Sequence, residues 1–432
     1  MRRHRAAGRP ARHASSIQPM RILMIPVGSA GDVHPHVGIG LALQRRGHDV
    51  SVLTSAYFEP LLSRVGLPLV PIGTVDDYHR TLEHPDLWRL HRALGVIGDA
   101  IRPHVTEIAH VLREQAAGSP PLLVAHPLAF GARAAQEALG LRLVTLHLQA
   151  TGFVSRHDTA VPHVWLRSVN RWPMPVKRLL VAAGDRLSDQ VLSPVVNELC
   201  GEFGLPRARN IVREWWHSPQ RVIGLFPDWY AAVQPDWPPQ TRLTGFPLYD
   251  EGEATPLTPE LDKWLDAGEP PVVFAPGTAN RQAAWFFRAG VDACRRLGRR
   301  GLLLTRFGEQ IPAPLPPGVR HAEYAPFGCL LQRAAALVHH GGVGTLAQAL
   351  RAGRPQLVMP MAFDQPDNAV RLERLGVGRY LRPSRFTGTA VARELDALLG
   401  SEDVARACRV VASRFVGIDP VAQTCDLIEA AA

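Results

Sequence analysis

The sequence predicts an α/β protein made of two doubly wound parallel-sheet domains that face each other across a cleft. Short apolar runs alternate with helical segments along the chain, which is typical of parallel βαβ units. Polar, glycine-rich loops follow three of these runs, at residues 28–34, 276–279 and 339–345. The 432 residues exceed what one ordinary core accommodates and suit two domains.

The first half of the chain supplies one predicted sheet. Its apolar runs are short and end at glycine, proline or polar residues, which predicts strands over residues 21–27, 49–54, 69–72, 122–125, 143–148 and 221–226. Helical periodicity predicts helices over residues 37–46, 57–65, 93–115, 130–139 and 176–199. Residues 76–88 are polar and predict a loop. The resulting first domain spans residues 20–240.

The second half repeats the same alternation after a linker, residues 241–258, which is rich in proline, glycine and acids. Strands are predicted over residues 271–275, 301–306, 319–324, 334–338 and 356–360, and helices over residues 259–265 and 346–353. The second domain therefore covers residues 259–410. Helices at residues 411–432 close the chain, and packing back on the first domain is one arrangement open to them.

The composition describes a folded protein with a basic tail. Hydrophobic residues make up 46% of the chain, and the net charge is +9. Residues 1–19 carry five arginines and no acid, so they predict a disordered tail. Such tails bind nucleic acid or anionic membranes in some proteins, but we favour a solvated tail and no nucleic-acid partner. No apolar run reaches membrane-spanning length. We expect a cytoplasmic protein, with peripheral contact at the inner face of the membrane left open.

The five cysteines show neither CxxC nor zinc-type spacing, and predict single buried thiols in a reducing compartment. Other absences narrow the chemistry. The chain has no GxxxxGK[ST] phosphate loop, no complete GxGxxG and no GxSxG nucleophile turn. No HExxH occurs either, and no two aspartates stand at positions i and i+2, so a Mg²⁺-based diphosphate site is not indicated.

The stretch HHGGVGT, residues 339–345, predicts an anion site. It lies between a strand and a helix, and its glycines allow the backbone to turn sharply and approach a ligand closely. The unpaired N–H groups and positive dipole end of the following helix favour a phosphate. The alternative is a tight strand-to-helix connection with no ligand.

Five stretches resemble the nucleotide-sugar glycosyltransferases of the UDP-glycosyltransferase family: GSAGDVHP (28–35), APGT (275–278), YAP (324–326), HHGGVGT (339–345) and FDQPDNAVRLERLGVG (363–378). The resemblance implies the GT-B fold, with two Rossmann-like domains. It implies an inverting, metal-independent transfer of a hexose from a UDP- or dTDP-linked sugar, with no cofactor beyond this co-substrate. A non-catalytic partner protein of the same fold and a sugar-nucleotide 2-epimerase are the alternatives.

Residues 215–238 and 244–250 also resemble the rhamnosyltransferases of rhamnolipid synthesis. This implies a lipid or other small apolar acceptor that carries a hydroxyl group. Residues 176–199 are expected to be core, a partner face or one wall of the acceptor cleft. The oligomeric state is not predicted.

The resemblance also implies roles for individual residues. Contacts to the donor diphosphate are expected from Thr278, His340, Gly342, Gly344 and Thr345. Contacts to the donor sugar are expected from Asp364, Gln365 and His339, although His339 has simple packing as an alternative and Asp364 a helix cap. Tyr324 and Ala325 are expected to bind the nucleoside, the first by stacking and the second through its backbone.

The general base is expected on the first glycine-rich loop. Asp32 matches the position of the family's base, and His34 is its rival because its unperturbed pKa lies near neutrality. An aspartate with a pKa of ~3.9 is a weak base unless burial raises that value. The alternative for Asp32 is a helix cap. Where plant members hold the aspartate that pairs with their base, this chain has His126, so that pair is either reversed or lost.

Overall fold

The computed structural model describes residues 18–249 and 256–432, so nearly all of the predicted basic tail lies outside the described residues. Two parallel sheets form the framework. The first has seven strands in the order β3-β2-β1-β4-β5-β6-β7, and the second has six in the order β10-β9-β8-β11-β12-β13. The strands are β1 Arg21–Ile25, β2 Asp49–Ser55, β3 Leu69–Ile72, β4 Leu122–Ala125, β5 Leu143–His147, β6 Arg221–Gly224, β7 Thr241–Leu243, β8 Val272–Ala275, β9 Gly301–Leu304, β10 Val319–Ala322, β11 Ala336–His339, β12 Gln356–Val358 and β13 Gly378–Tyr380.

Helices connect the strands of both sheets. In chain order they are α1 Ala30–Arg45, α2 Glu59–Val65, α3 Val75–Glu83, α4 Leu90–Gln115, α5 Phe130–Leu139, α6 Met174–Glu202, α7 Pro259–Asp266, α8 Ala284–Leu297, α9 Phe327–Leu330, α10 Val343–Arg351, α11 Gln365–Arg374, α12 Gly388–Leu399, α13 Glu402–Ser413 and α14 Pro420–Glu429. The predicted class, two doubly wound α/β domains, is confirmed.

The central strands are buried on both faces, as expected for a parallel sheet that is covered by helices. Ile22 and Met24 of β1 are completely buried, as are Val272 and Phe274 of β8. Each sheet begins from such a central strand and winds outward in both directions. The carboxyl ends of the two sets of strands consequently meet at one cleft, where ligands bind in open α/β sheets.

Three local predictions differ from the structure. Residues 75–83, predicted as loop, form α3, because Thr74 and Asp77 make a capping box that starts a helix in a polar stretch. Helix α1 begins at Ala30 and not at residue 37, since Ser29 caps it ahead of Pro35. Residues 241–243, placed in the linker, add a seventh strand that is too short to recognise from its sequence pattern.

The last helix, α14, packs against α1 of the first domain. Arg46 pairs with Asp426 at 2.7 Å and with Glu429 at 2.8 Å, and His48 lies 2.9 Å from a Glu429 oxygen. The C-terminal helix therefore packs back on the first domain, which is the arrangement named for residues 411–432.

Four cysteines are buried, but Cys329 is exposed on α9, so the prediction of buried thiols is wrong for this residue. The apolar side of α9 faces the core through Leu330, which leaves Cys329 outward. Among the described residues, no helix combines the length and apolarity needed to cross a membrane.

Candidate active site

A cleft of about 890 Å³ lies between the two sheets. All three predicted glycine-rich loops line it, together with α3, α4 and α6 of the first domain. The site residues predicted from the sequence thus come together at this cleft, with His339 as the exception. The predicted residues that line the cleft are Asp32, His34, Thr278, Tyr324, Ala325, His340, Gly342, Gly344, Thr345, Asp364 and Gln365.

One wall of the cleft is the N-terminus of α10. Gly342 is its N-cap residue and supplies no side-chain cap, so the first N–H groups of the helix are open to a ligand. Gly344 and Thr345 lie in the first turn, and Thr278 is exposed on the facing loop. Helix N–H groups with a nearby hydroxyl form an arrangement that binds anions.

His340 is clamped between two glycines. A β-carbon on Gly342 would lie 2.5 Å from Nε2 of His340, and one on Gly277 would lie 2.9 Å from its Cε1. Nδ1 of the ring is buried without a hydrogen-bond partner. Burial lowers the pKa of His340 to about 4, so the ring is neutral at pH 7. An anion at the end of α10 would supply the missing partner and favour protonation of this ring.

His339 does not contact the cleft, and its predicted contact with the donor sugar is wrong. The side chain is fully buried at the end of β11. Its Nε2 lies 3.0 Å from Oε1 of Gln356, and its Nδ1 accepts the N–H of Gly341 at 3.1 Å. Because both ring nitrogens are used internally, His339 packs in the sheet, which was the alternative considered for it.

Asp364 and Gln365 stand at the start of α11. The Asp364 side chain makes no cap to this helix and accepts a hydrogen bond from Nδ2 of Asn368 at 2.6 Å, so the cap alternative does not hold. Burial raises the pKa of Asp364 to about 7, and the nearby charge of Asp32 adds to the rise. Oε1 of Gln365 accepts the Met361 N–H at 2.8 Å, which fixes the loop.

Tyr324 and Ala325 follow β10 and also line the cleft. Ala325 is buried, while the Tyr324 ring is partly exposed beneath the guanidinium of Arg306, 5.8 Å from the ring centroid. Sequence reasoning missed Arg306, a cation in the cleft. Its position directly after the apolar run of β9 is the signal that would have indicated it.

The Asp32 carboxylate takes part in a helix cap with one oxygen and faces the cleft with the other. Oδ2 accepts the backbone N–H of Ser29 at 2.8 Å and completes a capping box for α1. The N-cap residue of this box is Ser29, so Asp32 contributes to the cap from the third helical position and is not the N-cap that was the alternative for it. Oδ1 takes no part in this cap, and the side chain keeps 20% of its surface exposed toward the cleft. Burial raises the pKa of Asp32, against the hydrogen bonds from Ser29 that lower it. Burial therefore makes this carboxylate a stronger base than a solvated aspartate.

His126 lies behind Asp32, where the family resemblance places the partner of the base. Its Nδ1 accepts the Leu128 N–H, so the neutral ring carries its proton on Nε2. This Nε2 is 3.9 Å from Oδ1 of Asp32 and has no other partner. Burial lowers the pKa of His126 to about 3, so the ring remains neutral. At 3.9 Å the two side chains are not hydrogen-bonded, so His126 lies behind Asp32 without forming the pair.

His36 was missed from the sequence, although it lies on the same helix as Asp32. It is fully buried, and its Nδ1 lies 2.8 Å from the Asp32 carbonyl oxygen. His34, the rival base, is partly exposed in the cleft and meets the ring of Tyr249 edge-on, with 6.0 Å between the centroids. The structure places both predicted base candidates in the cleft, and both are partly exposed there.

The first-domain side of the cleft is mainly apolar. The apolar side chains that line it include Leu94, Ile97 and Ile101 of α4, Leu192 of α6 and Trp216. Trp88 and Phe363 meet edge-on across the two domains, with 6.0 Å between their centroids. Residues 176–199 are therefore partly a wall of the cleft, one of the three arrangements considered for them.

Comparison with known proteins agrees with this architecture. Residues 22–148 match the Glycosyltransferase family 28 N-terminal domain, and residues 305–422 match the C-terminal domain of Erythromycin biosynthesis protein CIII-like proteins. The chain is 30% identical to the O-mycaminosyltylonolide 6-deoxyallosyltransferase of Streptomyces fradiae, over 95% of this chain and 97% of that protein. It belongs to the GT-B glycosyltransferases.

Solved structures share the fold of this glycosyltransferase. The calicheamicin glycosyltransferase CalG4 superposes with a TM-score of 0.71 at 21% identity, covering 96% of this chain and 98% of CalG4. A spinosyn rhamnosyltransferase, solved in complex with thymidine diphosphate, gives a TM-score of 0.68 at 19% identity, covering 94% of this chain and all of that one. The predicted GT-B fold is confirmed.

Proposed function

We propose that this glycosyltransferase moves a hexose from a UDP- or dTDP-linked sugar to a hydroxyl group of a small apolar acceptor, with inversion and without a metal ion. The observation that carries the proposal is the pairing of an open helix N-terminus beside His340 with a buried carboxylate, Asp32, in one cleft. The neighbouring rhamnosyltransferase fold that was solved with thymidine diphosphate supports the nucleotide part of the donor.

The diphosphate would lie at the N-terminus of α10. The helix N–H groups, the hydroxyls of Thr278 and Thr345 and a ring nitrogen of His340 are the donors available to it. As the bond between the anomeric carbon and the diphosphate breaks, negative charge grows on the leaving oxygen, where these donors stabilise it. The Tyr324 ring and the Ala325 backbone would then receive the base, and Asp364 and Gln365 the sugar hydroxyls.

Asp32 would accept the proton of the acceptor hydroxyl. The hydroxyl oxygen bonds to the anomeric carbon while the nucleoside diphosphate leaves from the opposite face, and the proton passes to Oδ1 of Asp32. General-base assistance of this kind contributes a factor of about 10²–10⁴.

The acceptor would lie against α4 and α6. Aliphatic and aromatic side chains predominate there, which favours a ligand with a large apolar surface and few polar groups. The 6-deoxyallosyltransferase is named for O-mycaminosyltylonolide and CalG4 for calicheamicin, which supports compounds of these two kinds as the first acceptors to try. The rhamnolipid resemblance of residues 215–238 adds hydroxy-fatty acyl acceptors as a second class.

The test is incubation of the full chain with UDP- and dTDP-linked hexoses and deoxyhexoses, each with macrolactone, polyphenol and hydroxy-fatty acyl acceptors. Mass spectrometry should show an acceptor that has gained one sugar, with one nucleoside diphosphate released, and EDTA should leave the rate unchanged. A donor that isomerises without transfer would indicate the epimerase, and donor binding with no turnover of any pair would indicate the non-catalytic partner. Activity that EDTA removes and Mg²⁺ restores would contradict the metal-free mechanism.

A further inference from the structure

A buried asparagine on α11 links three parts of the cleft. Nδ2 of Asn368 donates to Oδ2 of Asp364 at 2.6 Å and to the carbonyl oxygen of Gly341 at 2.8 Å. Its Oδ1 accepts the hydroxyl of Tyr230 at 2.6 Å. Asn368 is 1% exposed, so these contacts are sheltered from water. One amide thus joins the carboxylate at the start of α11, the loop that precedes α10, and a residue of the facing domain.

The chemistry of these partners fixes the direction of the amide. The carbonyl oxygen of Gly341 only accepts hydrogen bonds, so it must face the NH₂ group of Asn368, which also reaches Oδ2 of Asp364. The carbonyl end of the amide is then left for the Tyr230 hydroxyl. Burial raises the pKa of Tyr230 well above its usual value, so the hydroxyl keeps its proton and donates it. Removing that hydroxyl leaves the buried Oδ1 without a partner.

Tyr230 is held against α11 by more than its hydroxyl. It lies after β6 of the first domain, and its carbonyl oxygen accepts Nη1 of Arg371 at 3.1 Å. Arg371 also pairs with Asp367 at 2.6 Å and with Asp158 of the first domain at 2.7 Å. The first domain therefore contacts α11 through Tyr230 and Asp158. Asp364, the carboxylate proposed to bind the sugar, lies at the start of this helix.

We propose that Asn368, fixed by Tyr230, is a positioning residue that sets the Asp364 carboxylate for the donor sugar, so that sugar recognition depends on the docking of the two domains. This inference rests on the proposed function, because it takes Asp364 as the ligand of the sugar hydroxyls. The nucleoside diphosphate is expected at the N–H groups of α10 and at His340. Asn368 reaches this loop only through the carbonyl oxygen of Gly341, which is an acceptor and cannot bind a phosphate, so diphosphate binding should depend less on Tyr230 than sugar recognition does.

The experiment compares two matched substitutions. Tyr230→Phe removes only the hydroxyl that reaches Asn368. Tyr380→Phe is the control, since its hydroxyl also bridges the domains, through Arg167 at 3.3 Å, but does not contact Asn368. For each variant we would measure kcat and the KM of the sugar donor, the inhibition constant of UDP or TDP alone, and the thermal midpoint.

Tyr230→Phe is expected to lower kcat/KM for the donor about tenfold, as the loss of one buried hydrogen bond implies. The inhibition constant of the free nucleoside diphosphate should stay at the wild-type value, and Tyr380→Phe should resemble wild type throughout. A purely structural role would weaken transfer and diphosphate binding together. A Tyr230→Phe enzyme with wild-type kcat/KM, or equal losses in both variants, would overturn the proposal.

Asn368→Asp provides a second, isosteric variant. The carboxylate cannot donate the two hydrogen bonds that Asn368 makes, and it lies beside the carboxylate of Asp364. Sugar transfer should therefore fall further than in Tyr230→Phe. Wild-type transfer by a folded Asn368→Asp protein would also overturn the inference. If the wild-type chain itself transfers no sugar from any donor, the proposed function fails instead, and the two failures are distinguished.

Discussion

Replacing Asp32 with asparagine separates its structural role in the helix cap from its proposed role as the general base. The amide oxygen of the new side chain can still accept the Ser29 N–H, which Oδ2 of Asp32 accepts at 2.8 Å in the native protein. The capping box therefore survives, and the stability loss should stay below the roughly 1 kcal/mol that losing a cap costs. Oδ1, which takes no part in the cap, becomes an NH₂ group that cannot take a proton from the acceptor.

The expected loss in kcat is about 10²–10⁴-fold, which corresponds to roughly 3–5 kcal/mol of transition-state stabilisation. The assay is the steady-state rate of transfer at saturating donor, with nucleoside diphosphate affinity measured on the same preparation. Asp32→Ala is the companion variant, because it loses both the cap and the base and should also melt earlier. A kcat of Asp32→Asn close to that of wild type, with the proton demand met by His34, would refute the assignment.

Two further predictions concern the second domain. His340→Ala should weaken binding of UDP or TDP by roughly 10–100-fold in calorimetry, as expected for a lost hydrogen bond to a charged group. His339→Ala is the control and should mainly lower the thermal midpoint. Equal diphosphate affinity in His340→Ala and wild type would exclude the proposed contact. Burial raises the pKa of Asp364 to about 7 from an ordinary value of 3.8, so the folded state binds this proton more tightly and loses stability as pH rises through that range. Asp364→Asn should therefore raise the thermal midpoint relative to wild type at pH 8 more than at pH 5, and a difference that does not change with pH would contradict this reading.

Much of the fold could be predicted from the sequence because the strands and the loops that follow them depend on local patterns. Short apolar runs that end in glycine loops specify the strands, and the parallel topology brings the loops after β1, β8 and β11 to one edge. Asp32 and His340 were located in this way. The capping contact of Asp32 is also local, since Ser29 lies three residues away. His340 is clamped locally by Gly342, two residues away, but its second clamp, Gly277, comes from a distant loop.

Other features of the site depend on contacts that no local pattern records. His339 and His340 are adjacent and share one motif, yet the first is enclosed because β11 is covered on both faces, and only the second reaches the cleft. Tyr230 and Asn368 are 138 residues apart, so their hydrogen bond arises only when the domains dock.

The most direct test of the account is the anomeric configuration of the product, read from the proton NMR coupling of the transferred sugar. A single displacement, with Asp32 on one face of the sugar and the diphosphate at α10 on the other, predicts that an α-linked donor yields a β-linked product. A product with retained configuration would contradict that arrangement and would require a different chemistry in this cleft.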